Sequence, residues 1–383
     1  MTHSPAYTPP WLLKNGLAMT LHTARWVKRH WQQLTLEPQP IYRSHIFYGA
    51  NGVPLHAWIA QPPGAIATMI GTYGITGCLD NQWLLQILGR KAIARGFAVI
   101  LFDWRAHGKS GELSPTLTSD GLYEGQDFVH IADQSKAMGF PSPFWFTGFS
   151  LGGQLALWGG HAAQDLSAYA HLQPEDMGGV AVICPNLDSN RSLTYLMQAP
   201  LGRYVERAIT QELTRLAWKL HHFHPQAIDP EAIQRARSIR GFDQELVIPA
   251  LGFATVEDYY EASNPLPLLP HLSHPTLILY AADDPLFAPS IIADLQQSCR
   301  DNPAITLWLT RYGGHIGYLS SQACQSFWGD RDPWWAWNRL LDWCTAHPKT
   351  AARSAGLGGD RLEPSVHERS PSMCAQLPDI PHV

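Results

Sequence analysis

The pentapeptide Gly148-Phe149-Ser150-Leu151-Gly152 matches G-x-S-x-G and separates two unlike runs. Upstream, Phe144-Trp145-Phe146-Thr147 is a short aromatic and β-branched stretch of the kind that forms a buried strand. Downstream, Gln154-Leu155-Ala156-Leu157-Trp158 reads as the start of a helix. A serine on so sharp a strand-to-helix turn projects its oxygen into the open only if the flanking positions lack side chains that would collide with strand and helix. Gly148, Gly152 and Gly153 provide that clearance. The helix after the turn aims its free N–H groups and positive dipole end at the same spot, so negative charge is favoured there. The motif therefore calls for a strand and a helix joined at Ser150. It makes Ser150 a candidate nucleophile and the Leu151 N–H a candidate oxyanion donor.

An activated serine needs an acid and a base on loops that follow later strands. Pro275 to Ala282 is the strongest strand signal in the second half and ends at Asp283-Asp284-Pro285. Asp284, directly before Pro285-Leu286-Phe287, is the preferred acid; Asp283 is the alternative, the other carboxylate capping the turn. Ala304 to Thr310 alternates like a strand and empties into Arg311-Tyr312-Gly313-Gly314-His315. With 18 histidines in the chain, histidine alone means little, but a position after the last strand singles out His315 as general base. A second oxyanion donor is expected from Gly71-Thr72-Tyr73-Gly74-Ile75-Thr76-Gly77, a Gly-rich loop after the strand Ala65 to Ile70; the Ile75 N–H is the candidate. Phe97 to Phe102 reads as a buried strand, and the Asp103 to Ser110 loop after it as structural.

Together these motifs resemble the α/β-hydrolase superfamily and, within it, the YheT-like branch that includes eukaryotic abhydrolase-domain lipases. Pro9-Pro10-Trp11-Leu12-Leu13-Lys14-Asn15-Gly16 is similar to that branch's N-terminal motif, and Tyr73-Gly74-Ile75-Thr76-Gly77 to its H-G-x-x-G loop. Tyr280 to Pro285 and Tyr312 to Gly317 are similar to its acid and base loops. Coverage is roughly residues 9 to 346. Tyr73 stands where the family usually has histidine, so the loop's internal hydrogen bonding must differ, and Ala106 replaces the glycine of the usual D-x-R-G-H-G-x-S loop. The resemblance implies an α/β-hydrolase fold: a mostly parallel central sheet flanked by helices, with a helical cap insertion. It also implies a serine hydrolase of carboxylesterase or lipase type, cleaving a hydrophobic acyl ester through an acyl-enzyme. An acyltransferase with the same triad and a non-catalytic ligand-binding member of the fold are the alternatives.

Length and composition agree with this reading. A chain of 383 residues with 45% hydrophobic content can bury a large core. The net charge of −5, with no Lys/Arg block, gives no stripe for nucleic acid. The cysteines, Cys78, Cys184, Cys299, Cys324, Cys344 and Cys374, form no C-x-x-C pair, which suggests reduced thiols in a cytoplasmic protein. Neither a signal peptide nor a bilayer-spanning stretch is evident. Residues 1–40 are expected to pack on a core made of 41–186 and 264–346, with a cap at 187–263 and a disordered tail at 347–383. Leu17 to Gln33 reads as an amphipathic helix; packing across the core is the preferred reading, and a weak, peripheral membrane-surface contact is the alternative. Leu193, Tyr195, Leu196, Met197, Leu201, Tyr204 and Trp218 read by default as cap core, with the lining of an apolar cavity as the alternative. His221-His222-Phe223-His224 lacks carboxylate or thiolate partners at ligand spacing and reads as a helix end. No metal and no cofactor are expected.

Overall fold

The computed structural model describes residues 6–300 and 302–347. Its strands are β1 (Arg43–Tyr48), β2 (Pro54–Ala60), β3 (Ala67–Thr72), β4 (Phe97–Phe102), β5 (Phe144–Ser150), β6 (Met177–Pro185), β7 (Thr276–Ala281) and β8 (Ile305–Thr310). They form one 8-stranded sheet in the order β1-β2-β4-β3-β5-β6-β7-β8. The β1–β2 and β2–β4 pairs are antiparallel, and every pair from β4 to β8 across the sheet is parallel. The near-continuous apolar runs become the central strands: each residue of β3, β4 and β7 is buried, as a sheet covered by helices on both faces requires. β1 lies at the sheet edge with only Phe47 buried, so its sequence shows little alternation.

The order places the site. From β3 the chain moves to β4 on one side and then returns to β5 on the other, so β3 and β5 are neighbours whose connections leave in opposite directions. The crevice outside their carboxyl ends is where open α/β sheets take ligands. Because β3, β5, β7 and β8 all run parallel, the loops carrying Ile75, Ser150, Asp284 and His315 emerge along one edge.

Between β6 and β7 the chain leaves the sheet for a helical cap, whose longest member is Pro200–Phe223. The cap has an apolar cluster of its own, including Leu213, Ala217, Leu220, Ile233, Phe242 and Val247, which meets the body at Ala106 and Leu117. Four residues depart from the expectation of core: Leu201, Tyr204 and Trp218 are exposed because only the inward stripe of the Pro200–Phe223 helix meets the cluster, and Met197, which follows the helix Ser189–Leu196, is exposed as well. At the N-terminus, helical turns follow one another from Gly16–His22 through the π-turn Thr23–Val27 to Lys28–Leu34. Met19, Thr23, Val27 and Trp31 face inward, while Leu17 and Trp26 are exposed. The tail expected at 347–383 lies outside the described residues beyond His347.

The Asp103 to Ser110 loop is tied down by buried polar groups. Arg105 makes a bidentate pair with Asp127, at 2.7 Å from Nε and 2.8 Å from Nη2, and its Nη2 also donates to the Ala50 carbonyl at 3.0 Å. Asp103 accepts bonds from His56, Leu79, Lys109 and Tyr73.

Candidate active site

Ser150 ends β5 with φ 55° and ψ −127°, a conformation rare outside glycine, and the helix Leu151–Ala162 begins at the next residue. The turn tolerates no side chain at two neighbours. A Cβ on Gly148 would lie 2.2 Å from the Gly152 carbonyl oxygen, and a Cβ on Gly152 would lie 2.4 Å from that of Tyr73. The second contact shows how closely the loop after β3 rides on the elbow: a Cβ on Gly74 would sit 3.0 Å from the Ser150 Cβ.

His315 Nε2 lies 3.0 Å from Ser150 Oγ, and His315 Nδ1 lies 2.8 Å from Asp284 Oδ2. The other Asp284 oxygen accepts the Leu286 N–H at 2.9 Å, which orients the carboxylate from within its own loop. The Phe287 ring meets the imidazole edge to face, with centroids 5.0 Å apart. Asp283 points elsewhere: its Oδ1 accepts the Gly314 N–H at 2.9 Å. The structure thus brings Ser150, His315 and Asp284 together in one hydrogen-bonded series and sets Asp283 behind the base loop. A residue absent from the sequence reading completes the surroundings, since the His315 main-chain N–H donates to Thr20 Oγ1 at 2.8 Å.

Ser150 and His315 open into a cavity of about 300 Å³ beneath the cap. Ile75 and Leu151 line it beside them, and its walls are largely apolar, with Leu193, Leu196, Leu213 and Phe242 coming from the cap. Two carboxyl groups also line it, which sequence reasoning missed: Asp120 from the body and Asp243 from the cap. Burial, then the nearby Glu124, pushes the Asp120 carboxyl up to about 7. Burial and Asp120 together push Asp243 up as well, and Asp243 accepts a hydrogen bond from the Tyr260 hydroxyl. No periodicity or motif marks either acid; the only local signal is the turn-forming Ser119-Asp120-Gly121. Tyr73, at the family's usual histidine, is fully buried and donates its hydroxyl to Asp103 Oδ1 at 2.6 Å, while its main chain continues into Gly74 and Ile75. His107, also on the wall, bonds through Nδ1 to the Arg105 carbonyl at 2.9 Å, and burial holds its pKa down at about 4, so the ring is neutral.

Among the described residues, no group of three or more His, Cys, Asp or Glu side chains could hold a metal ion. In the 221–224 stretch, His221 bonds to the Ile228 carbonyl at 2.7 Å and His224 to that of Gly111 at 2.9 Å. No helix among those residues is long and apolar enough to cross a membrane.

Comparison with known proteins agrees with this architecture. The family described as alpha/beta hydrolase fold matches residues 72–322. The chain is 51% identical over 347 residues to a Synechocystis sp. protein named "Putative esterase slr0264", covering 88% of this chain and 94% of that one. It is 26% identical over 295 residues to "Putative esterase YheT" of Escherichia coli, covering 76% and 81%. With "Phospholipase ABHD3" of Mus musculus it shares 25% identity over 297 residues, covering 75% and 68%. Among solved structures, a Pyrococcus horikoshii acylaminoacyl peptidase superposes with a TM-score of 0.50 at 13% identity over 86% of this chain and 45% of that one, a likeness of fold alone. With the family match spanning most of the sheet and a relative more than half identical along nearly its whole length, the chain belongs to the α/β-hydrolase superfamily, in its YheT-like branch.

Proposed function

We propose that the protein is a serine hydrolase of carboxylesterase or lipase type that cleaves a hydrophobic acyl ester through an acyl-enzyme. The observation that carries this reading is the continuous series from Asp284 Oδ2 through His315 to Ser150 Oγ, opening on a largely apolar cavity. In this mechanism Ser150 Oγ attacks the acyl carbonyl carbon while His315 Nε2 takes the hydroxyl proton. Asp284 holds the imidazole in the tautomer that leaves Nε2 free to accept, and stabilises the imidazolium. The Ile75 and Leu151 N–H groups receive the oxyanion, each such donor contributing about 100- to 1000-fold in turnover. Collapse of the tetrahedral intermediate expels the alcohol, which takes its proton from His315. Water then repeats the sequence on the acyl-serine and regenerates the enzyme. Relatives named as esterases, a phospholipase and a monoacylglycerol lipase support esters of fatty acids as the substrate class. The reading places the protein in the cytoplasm, with weak membrane contact through Trp11, Leu12, Leu17 and Trp26, all exposed; flotation with liposomes at low salt tests that contact.

Fluorophosphonate labelling tests the chemistry without knowledge of the natural substrate. Wild-type protein is expected to label, and Ser150→Ala and His315→Ala are expected not to. A p-nitrophenyl ester series would then give the preferred acyl length. Failure of the wild type to label, even with detergent present to open the cap, would refute the proposal.

A further inference from the structure

The loop that carries His315 is held in a costly conformation. Gly314 has φ 56°, and the non-glycine residues Ile316 and Tyr318 have φ 65° and 42°. Side-chain-bearing residues persist in the left-handed region only where their surroundings over-determine them. Two consecutive N–H groups of the loop are anchored by side chains from elsewhere. Gly314 N–H donates to Asp283 Oδ1, on the acid loop, and His315 N–H donates to Thr20 Oγ1, on the N-terminal helix. The Thr20 hydroxyl in turn donates to the Gly16 carbonyl at 2.7 Å, so its proton is committed and a lone pair is left for His315. A hydroxyl can fill both roles, whereas a methyl of the same size fills neither.

The same helix packs on both loops with almost no clearance. A Cβ on Gly16 would lie 1.6 Å from the Asp283 carbonyl oxygen, a Cβ on Gly314 2.5 Å from the Gly16 carbonyl oxygen, and a Cβ on Gly317 2.4 Å from Met19 Cγ. One turn of helix, from Gly16 to Thr20, therefore spans the acid loop and the base loop. The 2.8 Å between Asp284 Oδ2 and His315 Nδ1 depends on the separation of those loops.

We infer that the N-terminal helix, which lies outside the sheet, belongs to the catalytic apparatus, and that Thr20 is a positioning residue that sets His315 through its main-chain N–H. This rests on the serine-hydrolase reading and adds to it a residue that touches neither substrate nor reacting atom.

The test is the turnover of full-length Thr20→Val on a p-nitrophenyl ester, normalised to active sites titrated with fluorophosphonate so that unfolded molecules do not count. A misplacement approaching 1 Å lowers rates by as much as 100-fold, so kcat per titrated site should fall about 10- to 100-fold with KM little changed. The labelling rate should fall in parallel. Thr20→Ser, which keeps the hydroxyl, should return kcat to within about 3-fold of wild type. Thr35→Val is the matched control. Thr35 lies in the same N-terminal segment and bonds to the Trp31 carbonyl and Trp334 Nε1 rather than to the His315 main chain, so its loss should lower stability and leave kcat per site unchanged. If Thr20→Val gives too little folded protein, Thr20→Ala removes the same acceptor without the added methyl. A Thr20→Val or Thr20→Ala enzyme within about 2-fold of wild type in kcat per site, beside an inactive Ser150→Ala, would overturn the positioning role and leave the serine-hydrolase reading intact. A wild type that neither labels nor hydrolyses would overturn both.

Discussion

Replacing Tyr73 with Phe removes a single hydroxyl from a site that water does not reach. Tyr73 is fully buried and Asp103 is 1% exposed, and the O–H lies 2.6 Å from Asp103 Oδ1. The same oxygen accepts the Leu79 N–H at 2.9 Å, and Oδ2 is held by His56 Nδ1 at 3.0 Å and by the Lys109 N–H at 3.1 Å. A hydrogen bond to a charged acceptor contributes about 1.5–3 kcal/mol. Because Leu79, His56 and Lys109 remain, the carboxylate is not left bare, so the loss of about 3–5 kcal/mol seen when a buried charge loses its partner does not apply. The expected destabilisation is about 2 kcal/mol. Urea unfolding followed by tryptophan fluorescence reads it as a lower midpoint at unchanged slope. A double-mutant cycle with Asp103→Ala, which removes the acceptor, isolates the pair and should return a coupling above about 1 kcal/mol. A loss below about 0.5 kcal/mol, or additive single mutants, would refute the assignment of this bond as the device that replaces the family's histidine.

Gly152→Ala places a methyl 2.4 Å from the Tyr73 carbonyl oxygen and 2.9 Å from that of Thr72, backbone atoms that cannot rotate aside. The loop after β3 must retreat from Ser150, so kcat should fall about 100-fold while circular dichroism stays native; a change under about 3-fold would count against that loop as the oxyanion donor. Asp120 makes stability depend on pH. Its folded pKa, near 7, lies above the ordinary 3.8, so the folded state keeps a proton that the unfolded chain releases. Stability is then greatest at acid pH and is lost as pH rises through the window from about 4 to about 7. Asp120→Asn should flatten that decline, giving a higher unfolding midpoint than wild type at pH 8 and little difference at pH 4. Parallel curves for the two proteins across this range would sink the idea.

The parts of this molecule that could be read from sequence are those where one physical demand dominates. Strands buried on both faces must be apolar throughout, which marks β3, β4 and β7, and a parallel sheet delivers all its loop residues to one edge. Ser150, Asp284 and His315 were therefore locatable by where each strand run ends. What stayed hidden depends on packing between distant segments. β1 has only Phe47 buried and so carries no strong alternation. Thr20 is one polar residue within an amphipathic helix, and nothing nearby in sequence foretells a bond to a main-chain group 295 residues away. Asp120 and Asp243 meet the cavity from body and cap, 123 residues apart in this numbering, so no local pattern joins them. The exposure of Leu201, Tyr204 and Trp218 likewise depends on which stripe of one helix finds a partner.

The separate apolar cluster of the cap has an evolutionary consequence. Leu213, Ala217, Leu220, Ile233, Phe242 and Val247 satisfy one another rather than the sheet, and their cluster meets apolar residues of the body at Ala106, Leu117 and Ile75. Substitutions at cap residues on the cavity wall, such as Leu193, Leu213 and Phe242, can therefore re-line the space above Ser150 without requiring compensation among the strands. What the cavity admits and how the bond is broken are separately heritable traits. Descendants of one such scaffold can diversify their guests while inheriting its chemistry unchanged.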